Sequence, residues 1–137
     1  MNIMPCFWIY FVSLHKLLQI MENRHINNQE EVEQFLRQFK PKMDIFGIIV
    51  LNRQKNQEAL RLLGLTEMAR KEVIKTIEVN DYVETIRDAV SYGDMWVFGK
   101  DYDGTELYIK ISMGQPNSNT ICVSFHTSEH PIDYAFK

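Results

Sequence analysis

Met95-Trp96-Val97-Phe98-Gly99-Lys100, Glu106-Leu107-Tyr108-Ile109-Lys110-Ile111 and Ile121-Cys122-Val123-Ser124-Phe125-His126 are the runs whose reading decides the fold. Each alternates, the pattern of a half-buried strand whose successive side chains point to opposite faces. In the middle run Leu107, Ile109 and Ile111 share one face, while Glu106, Tyr108, Lys110 and Ser112 share the other. The same alternation in the last run sets Ile121, Val123 and Phe125 against Cys122, Ser124 and His126. Residues 101–104 and 114–119 join the runs and carry turn residues suited to antiparallel neighbours. The apolar faces make a core. The opposite faces gather a tyrosine, lysines and a histidine on one open surface, groups able to grip and cleave a phosphodiester.

Ahead of these strands the period is helical. Asn28, followed by Gln29, Glu30 and Glu31, reads as a helix start with a capping box, and Val32, Phe35, Leu36 and Phe39 recur at helical spacing. Lys40-Pro41 is expected to end this helix, because the residue before proline disfavours the helical region. Residues 43–51 are a continuous apolar run; their β-branched content and short length favour a buried strand, although periodicity alone also admits a helix. Residues 52–56 read as a polar turn whose cations, Arg53 and Lys55, are either solvated or near a phosphate. A second helix carries Ala59, Leu60, Leu62 and Leu63 and stops at Gly64. A third, capped by Thr66, carries Met68, Val73, Ile74 and Ile77. Asp81, Tyr82, Ile86 and Tyr92 belong to a connector to which no element is assigned. The order predicts an α+β domain, with N-terminal helices packed on a small antiparallel sheet.

The 137 residues suit one domain, and 45% hydrophobic with 24% charged content is ordinary for a globular protein. A formal net charge of −3 counts against a nucleic-acid binder, though a local cationic pocket remains compatible with it. Two distant cysteines, Cys6 and Cys122, form neither a zinc motif nor a disulfide framework, which points to a reducing cytosol. The aromatic stretch near Phe7 is too short for a membrane span and lacks the features of a secretory signal. Residues 1–20 are therefore read as an upstream extension and residues 21–137 as the single domain, with Met21 as the biological start. An amphipathic segment lying on a membrane or on the domain is the alternative.

These elements and strand residues resemble the motility quorum-sensing regulator (MqsR) toxins of bacterial type II toxin–antitoxin systems, which share the RelE-like small-ribonuclease fold. The similarity runs from about residue 32 to residue 126. Tyr108-Ile109-Lys110-Ile111 and Val123-Ser124-Phe125 are its most specific pieces. The resemblance implies a RelE-like fold, metal-free cleavage of messenger RNA in the cytoplasm, and a cognate antitoxin as partner; dependence on the ribosome stays open. Tyr108 falls on the strand tyrosine of the family's site. His126 stands where the family has lysine, Val97 where it has glutamine, and Glu84 where a lysine is expected. These departures describe a branch in which histidines do work done elsewhere by lysine and glutamine.

Metal-free RNA cleavage needs a base for the 2′-hydroxyl, an acid for the leaving 5′-oxygen, and cations for the charge that develops on phosphorus. Histidine suits both proton roles. His126 and His130 are the expected acid–base pair, Lys110 the charge stabiliser, and Tyr108 the group that positions the phosphate or stacks on a base. Lys100, Lys137 and Arg53 are expected to bind RNA phosphate. Each has a structural alternative: strand-end histidine, solvated lysine, or cross-strand packing for Tyr108. No cofactor or metal is expected, because the His126-x-x-x-His130 spacing aligns ligands only on a helix and here runs into Pro131. A Cys122 nucleophile with His126 as base is open on that strand face, but no orienting group is evident and a buried, inert cysteine is the preferred reading. Tyr134-Ala135-Phe136-Lys137 is too aromatic for a solvated tail and is expected to fold back on the domain. The rival to the enzyme is a non-catalytic module of the same fold that binds a regulator.

Overall fold

The computed structural model describes Leu14 and residues 23–88 and 93–137. Apart from Leu14, the segment 1–20 lies outside the described residues, as does Tyr92. Among the described residues, no helix is long and apolar enough to cross a membrane.

Helix α1 spans Gln29–Phe46. The Asn28 side chain accepts from the Glu31 N–H at 2.9 Å, and the Glu31 carboxylate accepts from the Asn28 N–H at 3.1 Å, so the capping box forms as the sequence predicts. Val32, Phe35, Leu36, Phe39 and Met43 make the buried face. That face continues past Pro41, which lies inside the helix instead of ending it. Proline removes the bond to the carbonyl four residues back. Burial of Met43 one turn beyond Phe39 compensates, and the Lys42 ammonium tethers the last turn by donating to the Gln115 carbonyl at 2.7 Å. The longer helix shortens the expected strand to β2 (Ile48–Val50), after a break at Gly47. Gly47 sits at φ +81°, a conformation that favours glycine, and its N–H closes on the Met43 carbonyl at 2.8 Å.

Helix α2 (Gln54–Leu63) starts within the expected polar turn and ends at left-handed Gly64; α3 (Glu67–Lys75) is capped by Thr66. A 3₁₀ turn at Val79–Asp81 leads into β3 (Tyr82–Ile86), so the unassigned connector is a strand. A two-residue strand, β1 (Arg24–His25), pairs with it. Then follow β4 (Met95–Tyr102), β5 (Thr105–Ser112) and β6 (Thr120–Thr127). The described strands form one six-stranded sheet ordered β1-β3-β4-β5-β6-β2, antiparallel except where β2 runs parallel to β6. The fold is α+β. The helices do not all precede the sheet, however: both outer strands come from the N-terminal half, interleaved with the helices.

The core lies between the helices and one face of the sheet. Phe35 of α1 stacks on Trp96 at 4.3 Å between ring centroids, and Phe98, Leu107, Ile109, Ile111 and Phe125 are buried beneath the helices. One irregularity sets the other face. Pairing runs Tyr108 with His126, Ile109 with Phe125 and Lys110 with Ser124, and then skips Val123 to join Ile111 with Cys122. This bulge moves Cys122 into the core, so the expected alternation of the last strand holds only from Ser124 onward. Asn56, 1% exposed, fastens the bulge. Its amide donates to the carbonyls of Leu51 (3.0 Å) and Val123 (3.1 Å) and accepts from the Phe125 N–H at 2.9 Å.

Residues 128–137 fold back as the aromatic tail predicts. The Ile132 N–H and the Tyr134 hydroxyl donate to the two oxygens of Glu106, each at 3.1 Å. The Ala135 N–H reaches the Tyr82 carbonyl at 3.0 Å, and Phe136 stacks on Tyr82. The tail crosses β4 at Gly99, where a Cβ would stand 2.5 Å from the Tyr134 hydroxyl. Only glycine permits that crossing.

Candidate functional site

Register across β5 and β6 brings Tyr108 directly opposite His126, and their rings stack at 5.4 Å and 19°. Lys110 lies two residues along the same face, its ammonium 5.7 Å from the centre of the Tyr108 ring. The bulge held by Asn56 is what keeps His126 and Ser124 on this side while Cys122 turns inward. The alternating pattern alone puts Cys122 beside His126; the structure separates them. Burial pushes the Cys122 thiol up to about 12, and its Sγ lies 3.4 Å from the Ser124 carbonyl, so it supplies no thiolate nucleophile at neutral pH.

The stacked pair opens into a cleft of about 430 Å³, whose walls include Arg24, Lys55, Glu129 and His130. His126 Nδ1 lies 3.0 Å from the Thr127 carbonyl. A carbonyl only accepts, so Nδ1 carries the proton of the neutral ring and Nε2 keeps its lone pair. This is the arrangement of a general base. Burial first, and then the Glu84 carboxylate, raise the Tyr108 phenol above its ordinary value, so it stays protonated at neutral pH. Lys110 is held below the usual lysine value by burial first and by the charges of Arg53 and Arg24 next. Glu84 opposes that shift. It also pairs with Arg24 at 3.1 Å.

The structure therefore brings together Tyr108, Lys110 and His126, sets His130 on the cleft wall, and puts Arg53 near enough for its charge to act on Lys110. Lys100 and Lys137 are elsewhere. The Lys100 ammonium donates to the Thr76 carbonyl and to Asp81, both at 3.0 Å, and Lys137 lies 3.8 Å from the same carboxylate. Lys100 shares the core-facing side of β4 with Trp96 and Phe98, so it and Lys137 anchor the 3₁₀ turn and the tail. Arg24 and Glu129 escaped the sequence reading as site components, whereas Lys55, read as either solvated or near a phosphate, stands on the cleft wall. Lys55 and Glu129 form an ion pair across the cleft, and Lys55 holds the Glu129 carboxyl below its usual range. Among the described residues, no group of three His, Cys, Asp or Glu side chains is gathered as metal ligands are.

No protein-family model, curated protein or solved structure matches this chain. The geometry of the fold and cleft carries the functional reading.

Proposed function

We propose that the chain is a small metal-independent endoribonuclease of RelE-like architecture, the toxin of a toxin–antitoxin pair, which halts translation in the cytoplasm by cutting messenger RNA. The observation that carries this reading is the Tyr108–His126 stack with the Lys110 ammonium beside it, open to a cleft edged by cations. In the reaction His126 Nε2 takes the proton of the 2′-hydroxyl, whose oxygen attacks the adjacent phosphorus. Lys110, with Arg53 behind it, stabilises the negative charge that builds on the phosphoryl oxygens. His130 delivers a proton to the departing 5′-oxygen, leaving a 2′,3′-cyclic phosphate and a 5′-hydroxyl. Tyr108 holds the scissile group or a flanking base against its ring.

One observation favours the rival. Glu84 contributes a carboxylate to the phosphate-facing side, and the chain as a whole is acidic. A module that only binds a regulator through this face tolerates such a charge better than a nuclease does. Induction of the full chain in a bacterium, with RNA 5′ ends mapped for the native protein and for His126→Ala, separates the two. New 5′-hydroxyl ends that disappear in the variant support the nuclease. Unchanged RNA and normal growth leave the interaction module.

A further inference from the structure

A second cleft, of about 490 Å³, lies between α3 and the outer edge of β2, the last strand of the sheet among the described residues. Its floor contains Arg70, only 8% exposed. Among the described residues the Arg70 side chain makes no hydrogen bond or ion pair, and no sealed side-chain nitrogen or oxygen lacks a partner. The guanidinium therefore opens to the cleft that it lines. Burying a lone cation is costly, and planar recognition of a carboxylate is the contact that best offsets the cost. Lys71 adds a second cation to the wall; Glu67, one turn earlier on α3, stands exposed at the mouth.

The other wall supplies backbone. The Leu51 N–H bonds the Cys122 carbonyl at 2.9 Å and the Gly47 carbonyl accepts from the Thr120 N–H at 3.0 Å, so residues 47 and 51 face β6. By the alternation of a strand, Ile48 and Val50 turn their N–H and C=O groups the other way, into the cleft. Beyond β2 there is no further strand among the described residues. Unpaired edge groups of this kind template another strand.

We propose that this cleft binds an extended acidic peptide, which adds as a strand to β2 through Ile48 and Val50 and places an Asp or Glu side chain on Arg70. The apolar bed of Met68, Ile74 and the Val50 side chain receives the peptide's neighbouring β-branched residues. This inference is independent of the nuclease reading, since the second cleft shares no residue with the first.

Selection of a displayed library of random linear peptides on the full chain tests it, with amide exchange followed by NMR. Peptides sharing one Asp or Glu among alternating β-branched residues are expected to emerge and to slow exchange at Ile48 and Val50. Arg70→Gln is expected to weaken them about tenfold or more, the loss of a charge-assisted pair, without lowering the melting temperature, because among the described residues the Arg70 side chain makes no hydrogen bond or ion pair. Val50→Pro, allowed at an edge whose N–H points outward, is expected to abolish binding in a folded chain. Enriched peptides with no acidic position, equal binding to Arg70→Gln, or unaltered exchange at Ile48 and Val50 would overturn the proposal. So would saturation of Arg70 by inorganic phosphate with no peptide enriched, which would make the cleft a small-anion site.

Discussion

At the scale of the residue, Lys110 concentrates the physics of the first cleft. Burial, then Arg53 and Arg24, keep its pKa below the ordinary 10.5. Its ammonium is therefore less favourable in the folded than in the unfolded chain. That cost is complete while both states are protonated. It fades as pH climbs from the folded pKa towards the unfolded one, so stability rises with pH across that window. Lys110→Met removes this cost together with the cation to which the proposed reaction assigns the phosphate. The variant is expected to melt at the same or a higher temperature, to lose the alkaline gain in stability, and to cleave RNA about a hundredfold more slowly. Thermal melts over a pH series and single-turnover cleavage measure both. Lower stability with undiminished cleavage would return Lys110 to the status of a structural lysine.

At the scale of the element, the strand pattern disclosed most of the fold, and single contacts decided the remainder. The three alternating runs became β4, β5 and β6, and the Asn28 capping box began α1 as read. Pro41 misled because a local proline rule competes with burial of Met43, whose partner surface is remote in sequence. β1 and β3 were illegible for a similar reason: two- and five-residue strands carry little periodic signal, and pairing with neighbours makes them strands. The cluster of Tyr108, Lys110 and His126 was readable from alternation alone. The inward turn of Cys122 was not, since it depends on Asn56, which looks like an ordinary turn residue. Asn56→Leu strands the Phe125 N–H and the Val123 carbonyl inside the protein, while the Leu51 carbonyl keeps the Arg53 N–H. It is expected to cost about 2–4 kcal/mol in urea titrations and to abolish the ring contact between Tyr108 and His126 seen by NMR. A cost under about 0.5 kcal/mol would mean that the bulge sustains itself without the amide.

At the scale of the whole molecule, an acidic chain sets Arg24 and Lys55 on the cleft wall, each paired with an exchangeable surface carboxylate, with Lys110 and Arg53 close by, while Lys100 and Lys137 are spent on Asp81 at the 3₁₀ turn. Binding of a non-cleavable 2′-deoxy oligonucleotide should then weaken with salt at a modest log–log slope of about −2 to −3, matching three or four phosphate contacts on a single strand. A flat dependence would remove phosphate binding from the cleft. The parallel joint between β2 and β6 has a consequence of another kind. Gly47 bonds Thr120 across 73 residues of sequence, and the tail that carries His130 is tied through Glu106 and Tyr82. Such remote pairings close late and slowly. During synthesis, a nascent chain holding Arg24, Arg53 and Asn56 has only half of the cleft. The cleft is complete only after residues 126–133 have been added, so the order of translation sets when this surface can first form.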